Sequence, residues 1–159
     1  MKTTVVIYSM GGNTRLAAER IADSLGAALL EIRPKKAYPD SGLRKFLWGG
    51  KSAVMGETPA LEPYSFDAES ERVILGFPVW AGSFAPPIRT FVRENDLSGK
   101  RIAAFACESG SGAEKAFSKL LALLGRDRFD AQLILIDPRD KPSEENEQKL
   151  RAFCEALAE

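Results

Sequence analysis

The chain contains no histidine. That absence excludes histidine triads, imidazole metal ligands and imidazole general bases. Cysteine is scarce too: Cys107 and Cys154 form neither a disulfide framework nor a zinc motif. No apolar run approaches the ~20 residues that span a bilayer. Neither sign of charge dominates, since 22 Lys and Arg balance 22 Asp and Glu, for a formal net charge of zero. Such a balance argues against nucleic acid or an anionic membrane as the main partner. Met1-Lys2-Thr3 leads straight into a strand, without the layout of a secretory leader, so a cytoplasmic protein is expected. Any chemistry must run on hydroxyls, carboxylates, Cys107 or a borrowed cofactor.

What is present is ordinary in bulk and regular in layout. At 159 residues, 45% apolar and 28% charged, the chain is expected to form one domain over 1–159. Five apolar runs of strand length alternate with segments of helical period. Strands are expected near 3–8, 28–32, 72–77, 101–106 and 132–136. Helices are expected near 14–25, from Pro86-Pro87 to Asn95, from Ser111 to Leu124, and near 143–158. Gly26 and Gly125 read as helix stops. Ser111 with Glu114 three residues on reads as a capping box. The alternation predicts an α/β fold with a parallel sheet and right-handed crossovers. There is no internal repeat and no low-complexity tract.

Residues 33–71 break the rhythm. They hold Arg33, Lys35, Lys36, Arg44, Lys45 and Lys51, then Phe46, Leu47, Trp48, Gly49 and Gly50. A short helix over 41–47 or 41–55 is expected there. The basic cluster is either a solvated face or a docking surface for a partner or dinucleotide. Long connections in compact domains are often functional.

Three strands end in small, hydroxylic or glycine-rich residues that open a helix. These are Ser9-Met10-Gly11-Gly12-Asn13-Thr14, then Pro78-Val79-Trp80-Ala81-Gly82-Ser83, then Cys107-Glu108-Ser109-Gly110-Ser111-Gly112. In a parallel sheet all three leave the carboxyl edge, where open α/β proteins bind ligands. The first loop can turn backbone amides and a helix N-terminus on an anion, with Ser9, Asn13 and Thr14 adding side-chain donors. It is neither a P-loop nor a Gly-x-Gly-x-x-Gly turn. The plainer reading is a helix start with no ligand. Trp80 is either an ordinary loop tryptophan or a platform for a flat ring. Cys107, with no histidine to activate it, reads more simply as a small buried apolar residue. No residue is assigned a catalytic or metal-binding role.

The first loop resembles the phosphate loop of the flavodoxin family, a Ser/Thr-x-Ser/Thr-Gly-Asn-Thr pattern. Ser9, Gly12, Asn13 and Thr14 match, and Gly11 departs from it by lacking a hydroxyl. The second loop, running into Pro86-Pro87, is similar to the segment that lays an aromatic residue beside the flavin. The third matches the place where backbone amides line the pyrimidine edge. The resemblance implies a doubly wound five-stranded sheet of order 2-1-3-4-5, the flavodoxin-like three-layer sandwich. It implies FMN as cofactor, held by residues 9–14, 78–83 and 108–112. Trp80 would lie on or beside the ring, and the Ala81-Gly82 peptide would turn to accept a hydrogen bond from it when reduced. Glu108 would face either the ring or solvent. Trp48 would cover the ring or pack in the core. The last strand lacks the roughly twenty-residue insertion of long-chain members, so the chain resembles the short-chain form.

Three functions follow as expectations. The first is an electron carrier between redox protein partners. The second is a reductase moving hydride from a nicotinamide nucleotide to a quinone or other small acceptor; the neutral charge leans this way, since dedicated carriers of the family are commonly acidic. The third is a flavin-free module on the same fold, which Met10 and Gly11 would favour. A phosphoacceptor receiver domain is excluded, because Ser9-Met10 offers no acidic residue after the first strand. The sequence does not set the oligomeric state.

Overall fold

A computed structural model describes residues 1–38 and 56–158. The helix expected over 41–47 or 41–55, Trp48, and the basic residues Arg44, Lys45 and Lys51 lie outside the described residues.

The first strand, β1 (Thr3–Ile7), is a β-branched run with every residue buried, as suits a strand covered on both faces. Parallel neighbours flank it on each side. β2 (Ala28–Glu31) pairs Leu29 with Val5, and β3 (Arg72–Trp80) pairs Ile74 with Val5. β5 (Arg101–Glu108) continues the sheet beyond β3, and β6 (Gln132–Ile136) forms its far edge. The five long strands therefore run in the expected order, β2-β1-β3-β5-β6. The order reverses between β1 and β3, the switch point at which such sheets bind ligands.

β3 is longer than the sequence suggests. It passes through Gly76 and Pro78 to Trp80, because a two-residue strand, β4 (Ser83–Phe84), folds back and pairs with its end. Gly76 is required where it stands. A Cβ there would collide with the ring of Phe105, its partner across the β3–β5 ladder.

Successive residues of β1 serve opposite cores, as a period of two demands. Val5 and Ile7 pack with Ala17, Ala18 and Ile21 of α1 (Asn13–Leu25) and with Leu150, Phe153 and Leu157 of the last helix. Val6 and Tyr8 pack on the other side, with Ile88 and Phe91 of α2 (Pro86–Glu94) and Phe117 and Leu120 of α3 (Ala113–Leu124). The last helix, α4 (Glu144–Leu157), is capped by Ser143, whose hydroxyl accepts the Asn146 amide at 3.1 Å. Each large apolar side chain buried on that helix contributes roughly 1.5–3 kcal/mol.

Gly26 and Gly125 end α1 and α3 in the left-handed conformation, as expected. The capping box expected at Ser111 and Glu114 does not form. α3 starts one residue later, from Gly112 at φ 105°, with no side-chain cap from that residue. The Ala113 amide is taken instead by the Glu108 carboxylate, at 2.9 Å. A glycine at Gly112 lets the chain turn through a positive φ that serine would resist.

No helix among the described residues is long and apolar enough to cross a membrane.

Candidate functional site

The carboxyl ends of β1, β3 and β5 meet at a cavity of about 120 Å³. Of the residues singled out in the sequence, Met10, Gly11, Asn13, Thr14, Pro78, Val79, Trp80, Glu108 and Ser109 line it, together with Cys107. Gly12, Ala81, Gly82, Ser83, Gly110, Ser111, Gly112 and Ser9 stand in the same three loops without lining the cavity.

The first loop is rich in unused backbone donors. Gly12 turns at φ 92° to start α1, and Ser9 Oγ accepts the Arg15 amide at 3.1 Å. The amides of residues 10–14 have no protein acceptor among the described residues. Five donors at the positive end of a 13-residue helix form a setting for an anion. The polar side chains of the loop are already engaged. Asn13 is tied to the loop after β6, described below. Thr14 is buried, with its hydroxyl beside the Cys107 thiol. Met10 packs its side chain against the apolar core on the α2 and α3 side.

The second loop is a two-residue hairpin. Trp80 pairs with Ser83, and the residues between them, Ala81 and Gly82, take φ 50° and 69°. Positive φ at both positions is the turn that matches strand twist. Glycine adopts it freely; alanine is held there under strain. The half-buried Trp80 is fixed by two tyrosines in edge-to-face contacts. Its ring centre lies 5.7 Å from Tyr8 and 5.2 Å from Tyr38, and the two tyrosines are 6.1 Å apart. Burial pushes the Tyr8 phenol well above its usual range, with lesser contributions from Tyr38 and Glu31, so it remains neutral. Ser83 is buried, and its Oγ has no hydrogen-bond partner among the described residues.

In the third loop, the amides of residues 109–112 likewise have no protein acceptor among the described residues. Glu108 lines the cavity and turns its carboxylate back to the first turn of α3. Burial, partly opposed by the Thr14 hydroxyl, pushes the Cys107 thiol up to about 12. A thiol so placed stays protonated and unreactive at neutral pH.

The sequence reading missed a fourth loop at the same edge, residues 137–140, which joins β6 to α4. Asp137 lines the cavity at φ 41° and accepts the Ser109 hydroxyl at 3.0 Å. The Asn13 amide group binds the same loop. Its Oδ1 accepts the amides of Arg139 and Asp140, and its Nδ2 donates to Asp140. The signal was available: Ile136-Asp137-Pro138 is another apolar strand ending in turn residues before a helix. Among the described residues no cluster suited to a metal ion occurs.

A doubly wound parallel sheet, with unpartnered amides among the described residues and an indole at its switch point, defines a class of α/β proteins that bind ligands at that edge. The particular family follows from the sequence match: a model described as flavodoxin covers residues 2–127, and the chain belongs to the flavodoxin family. No curated protein matches the chain significantly. Solved structures share its fold. A candidate flavoprotein from Bacteroides eggerthii superposes with a TM-score of 0.80 at 21% identity, over 98% of this chain and 97% of that one. A flavoprotein from Lactobacillus acidophilus, solved in complex with FMN, gives 0.71 at 20% identity, over 87% and 95%. The apo form of an NADH:FMN oxidoreductase gives 0.61 at 13% identity, over 99% and 89%.

Proposed function

We propose that this chain binds FMN across the carboxyl ends of β1, β3 and β5 and carries electrons between redox partners. The observation that supports it is the meeting, at one cavity, of loops bearing unpartnered amides with the Trp80 indole. The donor set suits FMN: neutral amides at a helix start for a phosphate, an aromatic wall for a ring, and a second row of amides for a polar edge.

Each part of the chain then has a task. Residues 9–14 hold the phosphate. Trp80, propped by Tyr8 and Tyr38, would lie against the ring, with Pro78 and Val79 lining the same cavity and Ser83 paired to Trp80 across the hairpin. Residues 81–82 offer a peptide in a turn that glycine keeps adaptable. Residues 108–112 present amides to the pyrimidine edge. FMN, when bound, supplies the one- and two-electron chemistry, and the protein sets its exposure and electrostatics. No side chain is asked to move a proton, in keeping with a site that has no histidine and an inert Cys107. A redox partner of such a carrier would meet it over a small transient interface.

A second reading is a reductase that takes hydride from a nicotinamide nucleotide and reduces a small acceptor. Its support is the zero net charge, which raises no general barrier to an anionic dinucleotide. One experiment separates the readings. The purified protein is mixed with FMN and desalted, its visible spectrum is recorded, and it is then photoreduced without oxygen. Retention of about one FMN per chain is expected, with reduction in two resolved one-electron steps for a carrier. A single two-electron step, with steady NAD(P)H turnover and no partner protein, would favour the reductase. No retained or titratable FMN would overturn both.

A further inference from the structure

Arg139 stands where the phosphate loop lacks a side-chain donor. Its guanidinium lies directly on Gly12, so closely that a Cβ at that position would collide with it. Arg139 is fixed there from below: its amide donates to Asn13 Oδ1 at 2.8 Å, and its Nε donates to Asp140 Oδ1 at 3.1 Å. The two terminal amino groups have no protein acceptor among the described residues. Around them the loop's own side chains are engaged elsewhere. Ser9 Oγ accepts the Arg15 amide, Asn13 binds residues 139–140, Thr14 faces Cys107, and Gly11 has no side chain. Two carboxylates, Asp137 and Asp140, are on the same loop as Arg139, and Glu108 lines the same cavity as Asp137. An anion at residues 10–14 would meet unfavourable charge from that loop unless Arg139 offset it.

We propose that Arg139 is the phosphate-binding cation of this site, supplied by the β6–α4 loop in place of the hydroxyl missing at Gly11. The inference rests on the FMN reading above and adds a residue to it. The guanidinium is a planar fork, and its free terminal nitrogens suit two phosphate oxygens at once. Arg139 therefore acts on the phosphate and not on the ring. It selects FMN over riboflavin, which has the same ring and no phosphate.

That selectivity is the test. Wild type, Arg139→Gln and Arg139→Lys are titrated with FMN and with riboflavin, following quenching of flavin fluorescence, at low and at raised KCl. Arg139→Gln is expected to weaken FMN by about tenfold or more while riboflavin changes by less than about twofold. Much of the salt dependence of FMN binding goes with it, and Arg139→Lys keeps most of the affinity for FMN. An FMN affinity unchanged in Arg139→Gln overturns the proposal and leaves the FMN reading standing. Equal losses for both flavins also overturn it, because they assign Arg139 to holding the loop. Failure of the wild type to bind FMN overturns the functional reading itself, and this inference with it.

Discussion

Asn13 and Arg139 are 126 residues apart in sequence and joined by a hydrogen bond of 2.8 Å from the Arg139 amide to Asn13 Oδ1. The same oxygen accepts the Asp140 amide at 3.3 Å, and Asn13 Nδ2 donates to Asp140 Oδ2 at 3.1 Å. One side chain at the first position of α1 thus anchors the loop between β6 and α4. Ser109 anchors the other side of that loop through Asp137. The fourth loop becomes a strut between the first and the third.

Breaking that strut should loosen it locally. Asn13→Ala removes three partly exposed hydrogen bonds at once, and is expected to cost about 1–2 kcal/mol. Amide exchange at Arg139 and Asp140 should quicken with little change in the β1 amides. Asn13→Asp should not rescue it, because it sets a second carboxylate against Asp140. Exchange measured by mass spectrometry checks this; unchanged protection of the loop in Asn13→Ala would sink the account.

Glu108 stands between the start of α3 and the cavity. Its carboxylate accepts the Ala113 amide at 2.9 Å and sits at the positive end of α3. Glu108→Gln removes the charge and should lower stability by about 0.5–1 kcal/mol. With FMN bound, it should also ease reduction, because a negative charge beside the site opposes added electrons. The expected shift is upward, by roughly 30 mV, equivalent to about 1.4 kcal/mol for a two-electron couple. A potential that stays put or falls would show that Glu108 acts on α3 alone.

The hairpin at Ala81 carries removable strain. Alanine at φ 50° costs roughly 1–2 kcal/mol relative to glycine, and extra freedom in the unfolded chain returns about 0.4–1 of it. Ala81→Gly is therefore expected to raise Tm by about 1–4 °C. A fall in Tm would mean that Ala81 makes contacts that outweigh its conformation.

The sheet was legible because its signals are local. Each long strand is an apolar run bounded by Gly, Pro or hydroxylic residues, and Gly26 and Gly125 stop helices by their own conformational freedom. Residues 132–136 read as a strand from five consecutive positions, and the structure has that strand. The errors fall where a distant partner decides. Pro78 looks like a breaker, yet β3 runs through it because Ser83 and Phe84 fold back onto Val79 and Trp80. The Ser111 capping box fails because Glu108, before the loop, reaches the helix start first. The candidate site was legible in three of its loops, each a strand-to-helix turn with a compositional mark. The fourth carries no glycine, and its link to the first loop runs through Asn13, which reads as a ligand-binding donor when seen alone.

Cys107 gives the chain an alkaline weakness. In the fold its thiol is buried and pushed up to about 12 from an ordinary value of 9.0. Burial also raises Tyr8 above its ordinary range. A group whose folded pKa exceeds its unfolded one contributes stability that is full below the unfolded value. That stability is lost as pH rises through the interval between them. For Cys107 the window opens near 9.0 and closes near 12. At pH 10.5 the loss from this group should reach about 2 kcal/mol, at about 1.4 kcal/mol per pH unit. Cys107→Ala should remove that part, leaving a smaller decline from Cys154, whose thiol burial also raises, and from Tyr8. Urea unfolding of both proteins at pH 8 and pH 10.5 checks this. The wild type should lose more stability than the variant between the two, whatever the offset at pH 8 from the smaller side chain. Equal losses would mean that the thiol ionises in the fold as easily as in the unfolded chain, and that Cys107 is open to thiolate chemistry after all.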